Sequence, residues 1–232
     1  MFSYTYEMRY GDFKDFEYLK KTSLLDVVQD ISTKEADYCG YGMERLRKMN
    51  IAWLMQGINV HFEKPAKILK PVTAETAVKC LKGVVSERGC ILKQDGEVIA
   101  KTIASWFTFN TEKMRVCKIP EELHSCYELH DFKDEFFTYI KPEILTDVDV
   151  KYTIRVSNRD IDTNNHLNNQ KGAELLIDAL PFDYDFKDMR ILYKKSAFLG
   201  DELQVCVKET EKGYFVHLQT ADKQICVAGE FE

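Results

Sequence analysis

The chain carries one plan twice, and this internal repeat limits what it can fold into more than any other feature. Tyr6-Glu7-Met8-Arg9 is echoed by Tyr152-Thr153-Ile154-Arg155 as Tyr-x-apolar-Arg. Each echo leads into a loop and then into apolar residues at helical spacing. These are Leu24, Val27, Val28 and Ile31 in the first half, and Ala173, Leu176, Ile177 and Leu180, closed by Pro181, in the second. Alternating strand patterns follow each helix: Ile58, Val60 and Phe62, then Leu203, Val205 and Val207, then Tyr214, Val216 and Leu218. Asp95-Gly96-Glu97 marks a hairpin turn, and Asp222-Lys223-Gln224 stands in its place in the second half. A period of roughly 145 residues is far too long for a solenoid. It predicts two copies of one α+β unit, each a long central helix wrapped by a curved antiparallel sheet.

Local signals place the boundaries. Tyr4, Tyr6, Met8 and Tyr10 alternate with Ser3, Thr5, Glu7 and Arg9, which predicts a half-buried first strand. Ser23 with Asp26 reads as a capping box for the first helix, and Cys39-Gly40 as its end. The first unit is expected over residues 1–119 and the second over 149–232. Between them, residues 120–148 are acidic and aromatic rather than Gly/Ser-rich. Phe132, Phe136, Phe137 and Tyr139 give this connector something to bury, so it is expected to pack over the surface.

Composition removes several classes of function. The 232 residues are 45% hydrophobic and 30% charged, as in an ordinary soluble domain and unlike a disordered chain. A net charge of −6 argues against general binding of nucleic acid or anionic membrane. No apolar run is long enough to span a bilayer, and Met1–Tyr6 lacks the marks of a signal peptide. The seven cysteines are odd in number and form no CxxC pair, so free thiols in a reducing cytoplasmic setting are expected. His124, His130, Asp131 and Asp134 have no metal-ligand spacing, and no metal or other cofactor is expected.

One loop stands out. Residues 157–169, from Ser157 to Asn169, hold five Asn, two Asp and a His, and they lead into the second helix. Asp162, Asn164 and His166 can orient a water, hold an imidazole and take a proton, and backbone N–H groups at the following helix start suit a developing oxyanion. The same residues also cap helices and make turns. The corresponding first-half loop, Gly11–Lys20, has neither His nor Asn, so one half looks chemical and the other looks like a wall.

The run Asp162-Thr163-Asn164-Asn165-His166-Leu167-Asn168-Asn169 resembles the D-x-N-x-H-x-N-N signature of plant and bacterial acyl-acyl-carrier-protein thioesterases. Trp53-Leu54, Val60-His61-Phe62 with Pro65, Asp95–Val98 through Ser105-Trp106, and Lys118-Ile119-Pro120-Glu121-Glu122 resemble that family in the same order. The resemblance implies a tandem hotdog fold, in which each hotdog is a helix wrapped by an antiparallel sheet. It also implies hydrolysis, by water, of the thioester joining a fatty acyl chain to the phosphopantetheine arm of acyl carrier protein. Asp162, Asn164 and His166 are then the catalytic residues. Val27 and Ile31 on the first helix, with Trp53, then line the acyl tunnel. The two fused hotdogs imply a monomer complete in itself, or a homodimer of such chains.

The chain departs from the family at one place. After Ile191–Lys195, where the family often carries a Glu followed in plant members by a Cys, it has Ser196-Ala197. A cysteine nucleophile therefore does not carry over; either Asp162 and His166 suffice, or another acid such as Glu174 or Asp201 contributes, or the protein is slow. The rival readings are a hotdog thioesterase acting on acyl-coenzyme A and a non-catalytic acyl-binding hotdog. The basic groups that would meet an acidic carrier protein are Arg45, Arg47 and Lys48, or Lys194 and Lys195.

Overall fold

An 18-residue helix, α1 (Lys21–Tyr38), is the centre of the first of two units into which the chain divides, Met1–Tyr139 and Ile140–Glu232. A computed structural model describes all residues, 1–232. The strands of the first unit are β1 (Phe2–Tyr6), β2 (Ile51–Phe62), β3 (Val72–Lys82), β4 (Val85–Gln94), β5 (Glu97–Asn110) and β6 (Arg115–Val116), with the short helix α2 (Met43–Lys48) before β2. They pair antiparallel in the order β1-β3-β4-β5-β2, and β6 pairs with β5.

Opposed residues of an antiparallel pair share a face. Here Ala74, Leu92, Ala100 and Phe62 form one row; Thr76, Cys90, Thr102 and Val60 the next; and Val78, Arg88, Ala104 and Ile58 a third. These rows face α1, whose Leu24, Val27, Val28 and Ile31 are buried against the sheet. The opposite face carries Ala77 and Ile103, which pack with Phe132 and Phe137. A Cβ on Gly89 would fall 2.5 Å from the Phe132 ring, so that ring needs a glycine beneath it.

Residues 120–139 therefore belong to the first unit, and 140–148 to the second. Helix α3 (Glu121–Cys126) buries Leu123 among Tyr41, Leu46, Ile51 and Ile119. The β4–β5 hairpin turns at Asp95 (φ 51°) and Gly96 (φ 80°), the left-handed pair a two-residue hairpin turn requires.

The second unit holds β7 (Asp149–Arg155), α4 (Asn169–Ile177), β8 (Asp188–Tyr193), β9 (Glu202–Thr210), β10 (Gly213–Gln219) and β11 (Ile225–Phe231). Its strands pair antiparallel in the order β8-β11-β10-β9-β7. α4 lies on the face that carries Val227 and Gly229. A Cβ on Gly172 would come 3.2 Å from Val227, and one on Gly229 would come 3.0 Å from Leu176, so the glycines set a close helix–sheet approach. His217 on β10 is buried, with Nε2 3.2 Å from the Gln219 Oε1. Burial holds its imidazole below the ordinary value, and the Gln219 hydrogen bond opposes that only in part.

Three details differ from the sequence reading. α1 begins at Lys21 with Lys20 as its N-cap and no side-chain cap, so Ser23 lies inside the first turn, buried, and forms no capping box. α4 has only 9 residues, because the chain turns away after Ile177 before reaching Leu180. The loops and helix starts of the two halves match at an offset of 148 residues, Asp12 with Asp160 and Lys21 with Asn169, which sets the Tyr-x-apolar-Arg echo out of step by two. Backbone hydrogen bonds, not side-chain likeness, define the true alignment.

Candidate active site

Everything in the polar loop is organised around Asp162. Its Oδ1 accepts hydrogen bonds from the backbone N–H of Asn164 (2.8 Å) and of His166 (3.2 Å). The chain closes on itself where the Asp162 N–H donates to the His166 carbonyl at 2.9 Å, and Asn165 takes a left-handed conformation (φ 62°) to permit it. One carboxylate oxygen is thus committed to the turn. The other, Oδ2, faces the Asn164 side-chain amide at 3.5 Å. The carboxylate bonds to the backbone of His166 and not to its ring. Asp162 and His166 are half-buried and Asn164 is exposed, so the three groups meet solvent within one tight turn.

Two neighbours hold this turn in place. A 3-10 turn precedes it, in which the Asp160 Oδ2 accepts from the Ser157 N–H at 2.8 Å. The segment after β8 lies alongside, with the Leu167 N–H donating to the Ala197 carbonyl at 2.8 Å. The next residue, Phe198, sets its ring edge-on to the His166 imidazole, centroids 5.0 Å apart. Asp201 shapes that segment by accepting from the Phe198 N–H at 2.8 Å. Phe198 is a site residue the sequence reading missed. No periodicity or motif marks it, because its role comes from a backbone pairing between distant segments.

The start of α4 offers an oxyanion less than its sequence suggests. The Asn168 Oδ1 caps the helix, accepting from the N–H of Gln170 (2.8 Å) and of Lys171 (3.3 Å). Those two donors are already used. Glu174 is also engaged: it accepts from the Gln170 side chain and pairs with Lys171 at 2.6 Å. Ser196 is exposed, one residue before the Ala197 carbonyl that holds the loop.

The residues read as acyl-lining all lie in the first unit, on different elements. Val27 and Ile31 are buried on the sheet-facing side of α1. Trp53, on β2, packs instead with the cluster of Tyr41, Leu46, Ile51, Ile119 and Leu123. Of the basic groups, Arg45 lies over the Tyr41 ring (4.1 Å) and Lys48 pairs with Glu44. Lys194 and Lys195 are exposed and immediately precede Ser196. No group of His, Cys, Asp and Glu side chains is arranged to hold a metal, and no helix is long and apolar enough to cross a membrane.

This architecture is shared with solved structures. The fold matches an acyl-ACP thioesterase of Bacteroides thetaiotaomicron with a TM-score of 0.88 at 15% identity, over 99% of this chain and 96% of that one. It matches the 12:0-ACP thioesterase of Umbellularia californica with a TM-score of 0.85 at 15% identity, over 100% and 96%. A protein of Aquifex aeolicus matches with a TM-score of 0.52 at 11% identity, its whole length covering 55% of this chain. About half of this molecule is thus a complete protein elsewhere. No curated protein matches in sequence. These likenesses define a tandem hotdog protein, and family-level sequence patterns define it further. The N-terminal domain of acyl-ACP thioesterases matches residues 1–127 and the C-terminal domain matches residues 143–230. The chain belongs to the acyl-ACP thioesterase family; it is a thioester hydrolase whose substrate is fatty acyl-ACP.

Proposed function

We propose that this chain releases free fatty acid by attack of water on the acyl-ACP thioester, with Asp162, Asn164 and His166 as its catalytic residues. The observation that carries this reading is the turn itself, which gathers a carboxylate, an amide and an imidazole at a solvent-reached surface on hydrogen bonds from the main chain. The Asp162 Oδ2, which otherwise accepts only the long 3.5 Å bond from the Asn164 amide, orients the attacking water. Asn164 donates its amide to the thioester carbonyl oxygen, a role the capped start of α4 leaves to a side chain. His166, steadied by Phe198, takes the proton from water and returns it to the departing phosphopantetheine thiolate, so the balance closes with no cofactor. A positioned acid–base group contributes about 10²–10⁴ in rate and one oxyanion donor about 10²–10³.

Val27, Ile31 and Trp53 are assigned to the acyl chain, and Lys194 and Lys195 to the acidic surface of the carrier. The setting is a reducing cytoplasm, in keeping with seven free cysteines.

The test is fatty acid release from acyl carrier protein carrying graded chain lengths, beside matched acyl-coenzyme A substrates and an Asp162→Asn variant. Asparagine retains one side-chain oxygen for the two loop N–H groups and replaces the other, with its charge, by an amide donor. Carrier-dependent release that is lost in this variant supports the reading. Equal turnover of free coenzyme A thioesters would make this an acyl-coenzyme A enzyme, and acyl binding without turnover would make it a binding protein.

A further inference from the structure

The turn that holds Asp162, Asn164 and His166 has a cation at its edge that no side chain neutralises. Arg155, the last residue of β7, is exposed, and no carboxylate pairs with it. Glu202, opposite it across the β7–β9 pair, is exposed too and makes no ion pair with it. The acids nearest the turn are engaged by the main chain: Asp160 by the Ser157 N–H, Asp162 by those of Asn164 and His166, and Asp201 by that of Phe198. Arg159, its side chain 90% exposed, comes no closer than 4.0 Å to Asp160. Counted back from the matched Asp12 and Asp160, the first half has Glu7, of opposite charge, where the second has Arg155.

A short segment ties Arg155 to the turn. The Gly200 N–H donates to the Val156 carbonyl and the Val156 N–H to the Asp201 carbonyl, both at 2.9 Å, so residues 198–201 lie against the end of β7. The Arg155 Nη2 is 3.9 Å from where a Cβ on Gly200 would stand, so the guanidinium lies beside bare backbone. Leu199 is 57% exposed, and the Phe198 ring meets the His166 imidazole at 5.0 Å. Imidazole, aromatic ring, exposed leucine and guanidinium thus follow one another along one segment. Two residues of chain span at most about 7 Å, which holds the guanidinium within about 20 Å of the imidazole.

We propose that Arg155 binds the phosphate of the phosphopantetheine arm while the thioester at the arm's other end lies at His166. This rests on the reading of the Asp162 turn as the reacting site. The arm carries its groups in the order of the segment: a thioester, two amides, a gem-dimethyl carbon and then the phosphate. Extended, it spans roughly 15–20 Å, so an arm anchored at Arg155 reaches the imidazole. Phe198 and Leu199 offer apolar ground to its methylenes and gem-dimethyl group. The planar guanidinium meets a phosphate with two parallel N–H donors, and it has no internal ion pair to break first.

The experiment compares kcat/KM for an acyl-phosphopantetheine and the matching acyl-pantetheine, which differ only in the phosphate. In the wild type the phosphate is expected to raise kcat/KM about tenfold, and in Arg155→Gln that ratio falls close to one. Most of the change is expected in KM, because the phosphate is held alike in the ground and transition states. Lys151→Gln removes another exposed charge from the same strand and is expected to keep the wild-type ratio. A wild-type ratio near one, an unchanged ratio in Arg155→Gln folded by circular dichroism, or an equal fall in Lys151→Gln overturns the proposal. Acyl-ACP and acyl-coenzyme A both carry this phosphate, so each is also tested against Arg155→Gln. A loss on acyl-ACP is expected, and a loss confined to acyl-coenzyme A overturns the assignment to the carrier's arm. Calorimetric binding of non-hydrolysable S-alkyl thioethers of phosphopantetheine and of pantetheine reads the same ratio without turnover. If the wild type hydrolyses no thioester but binds the phosphorylated thioether about tenfold tighter through Arg155, the reaction reading fails and the phosphate site stands. If turnover is normal and the two thioethers bind alike, only the phosphate site fails.

Discussion

The loop before α1 and the loop before α4 share three backbone pairings and differ in chemistry. In each, a 3-10 turn is closed by an Asp three residues on, Asp12 accepting from the Arg9 N–H and Asp160 from the Ser157 N–H. In each, a tight loop returns on itself, the Lys14 N–H bonding to the Tyr18 carbonyl and the Asp162 N–H to the His166 carbonyl, both at 2.9 Å. In each, a leucine N–H then bonds at 2.8 Å to an alanine carbonyl of a distant segment, Leu19 to Ala66 and Leu167 to Ala197. At this alignment Lys14 stands where Asp162 stands, Phe16 where Asn164, Tyr18 where His166 and Lys20 where Asn168; the matching Ala66 and Ala197 carbonyls separately put Pro65 where Ser196 is. On the proposed reading the shared pairings do not make the site; three side chains on one of the two loops do. Even the internal staple has moved, since Asp15 does in the first loop, for Glu17 and Tyr18, what Asp162 does in the second. Phe16, at 99% exposure, presents a bare ring where the second half presents an amide.

The comparison can be broken most sharply at the chemistry. His166→Gln and Asn164→Ala should each lower kcat by about 10²–10⁴ with the thermal midpoint nearly unchanged, whereas Tyr18→Phe leaves kcat within about twofold. An equal loss from the first-loop change would end the asymmetry. Phe198→Ala comes next. Freeing the imidazole from its edge contact should lower kcat about tenfold with little change in KM, because a misplaced acid–base group is penalised in the transition state and not in binding. A KM effect alone would make Phe198 a substrate contact instead.

Smaller effects test the helix starts. Asn168→Ala removes a cap from two N–H groups and should cost about 1 kcal/mol of unfolding free energy. Lys20→Asn supplies α1 with the cap it lacks and should raise stability by up to about 1 kcal/mol. Denaturant unfolding measures both.

The smallest effect separates the units by pH. His217 has its imidazole held below the ordinary 6.5 by burial. Below that value the unfolded chain takes up a proton that the folded protein refuses, so this part of the stability is full above about pH 6.5 and falls away as the pH drops. His217→Leu should therefore shrink the loss of thermal midpoint between about pH 8 and pH 5.5 by a few degrees. An unchanged pH dependence would assign the acid sensitivity to other groups.

Sequence alone determined the repeat, the α+β class, the strand alternation and the one loop dense in amide, carboxylate and imidazole. These are local or periodic properties, written in residues near one another along the chain. The tertiary structure decided which residues of the two halves are equivalent, because equivalence lies in backbone hydrogen bonds that side-chain likeness had set out of step by two. It decided that the donors at the start of α4 are spent on Asn168, that Glu174 is held by its own helix, and that Phe198 lies against His166. It also brought Arg88 to Glu35 across 53 residues of chain. Each depends on a contact between segments far apart in sequence, and no pattern of period 2 or 3.6 records such a contact.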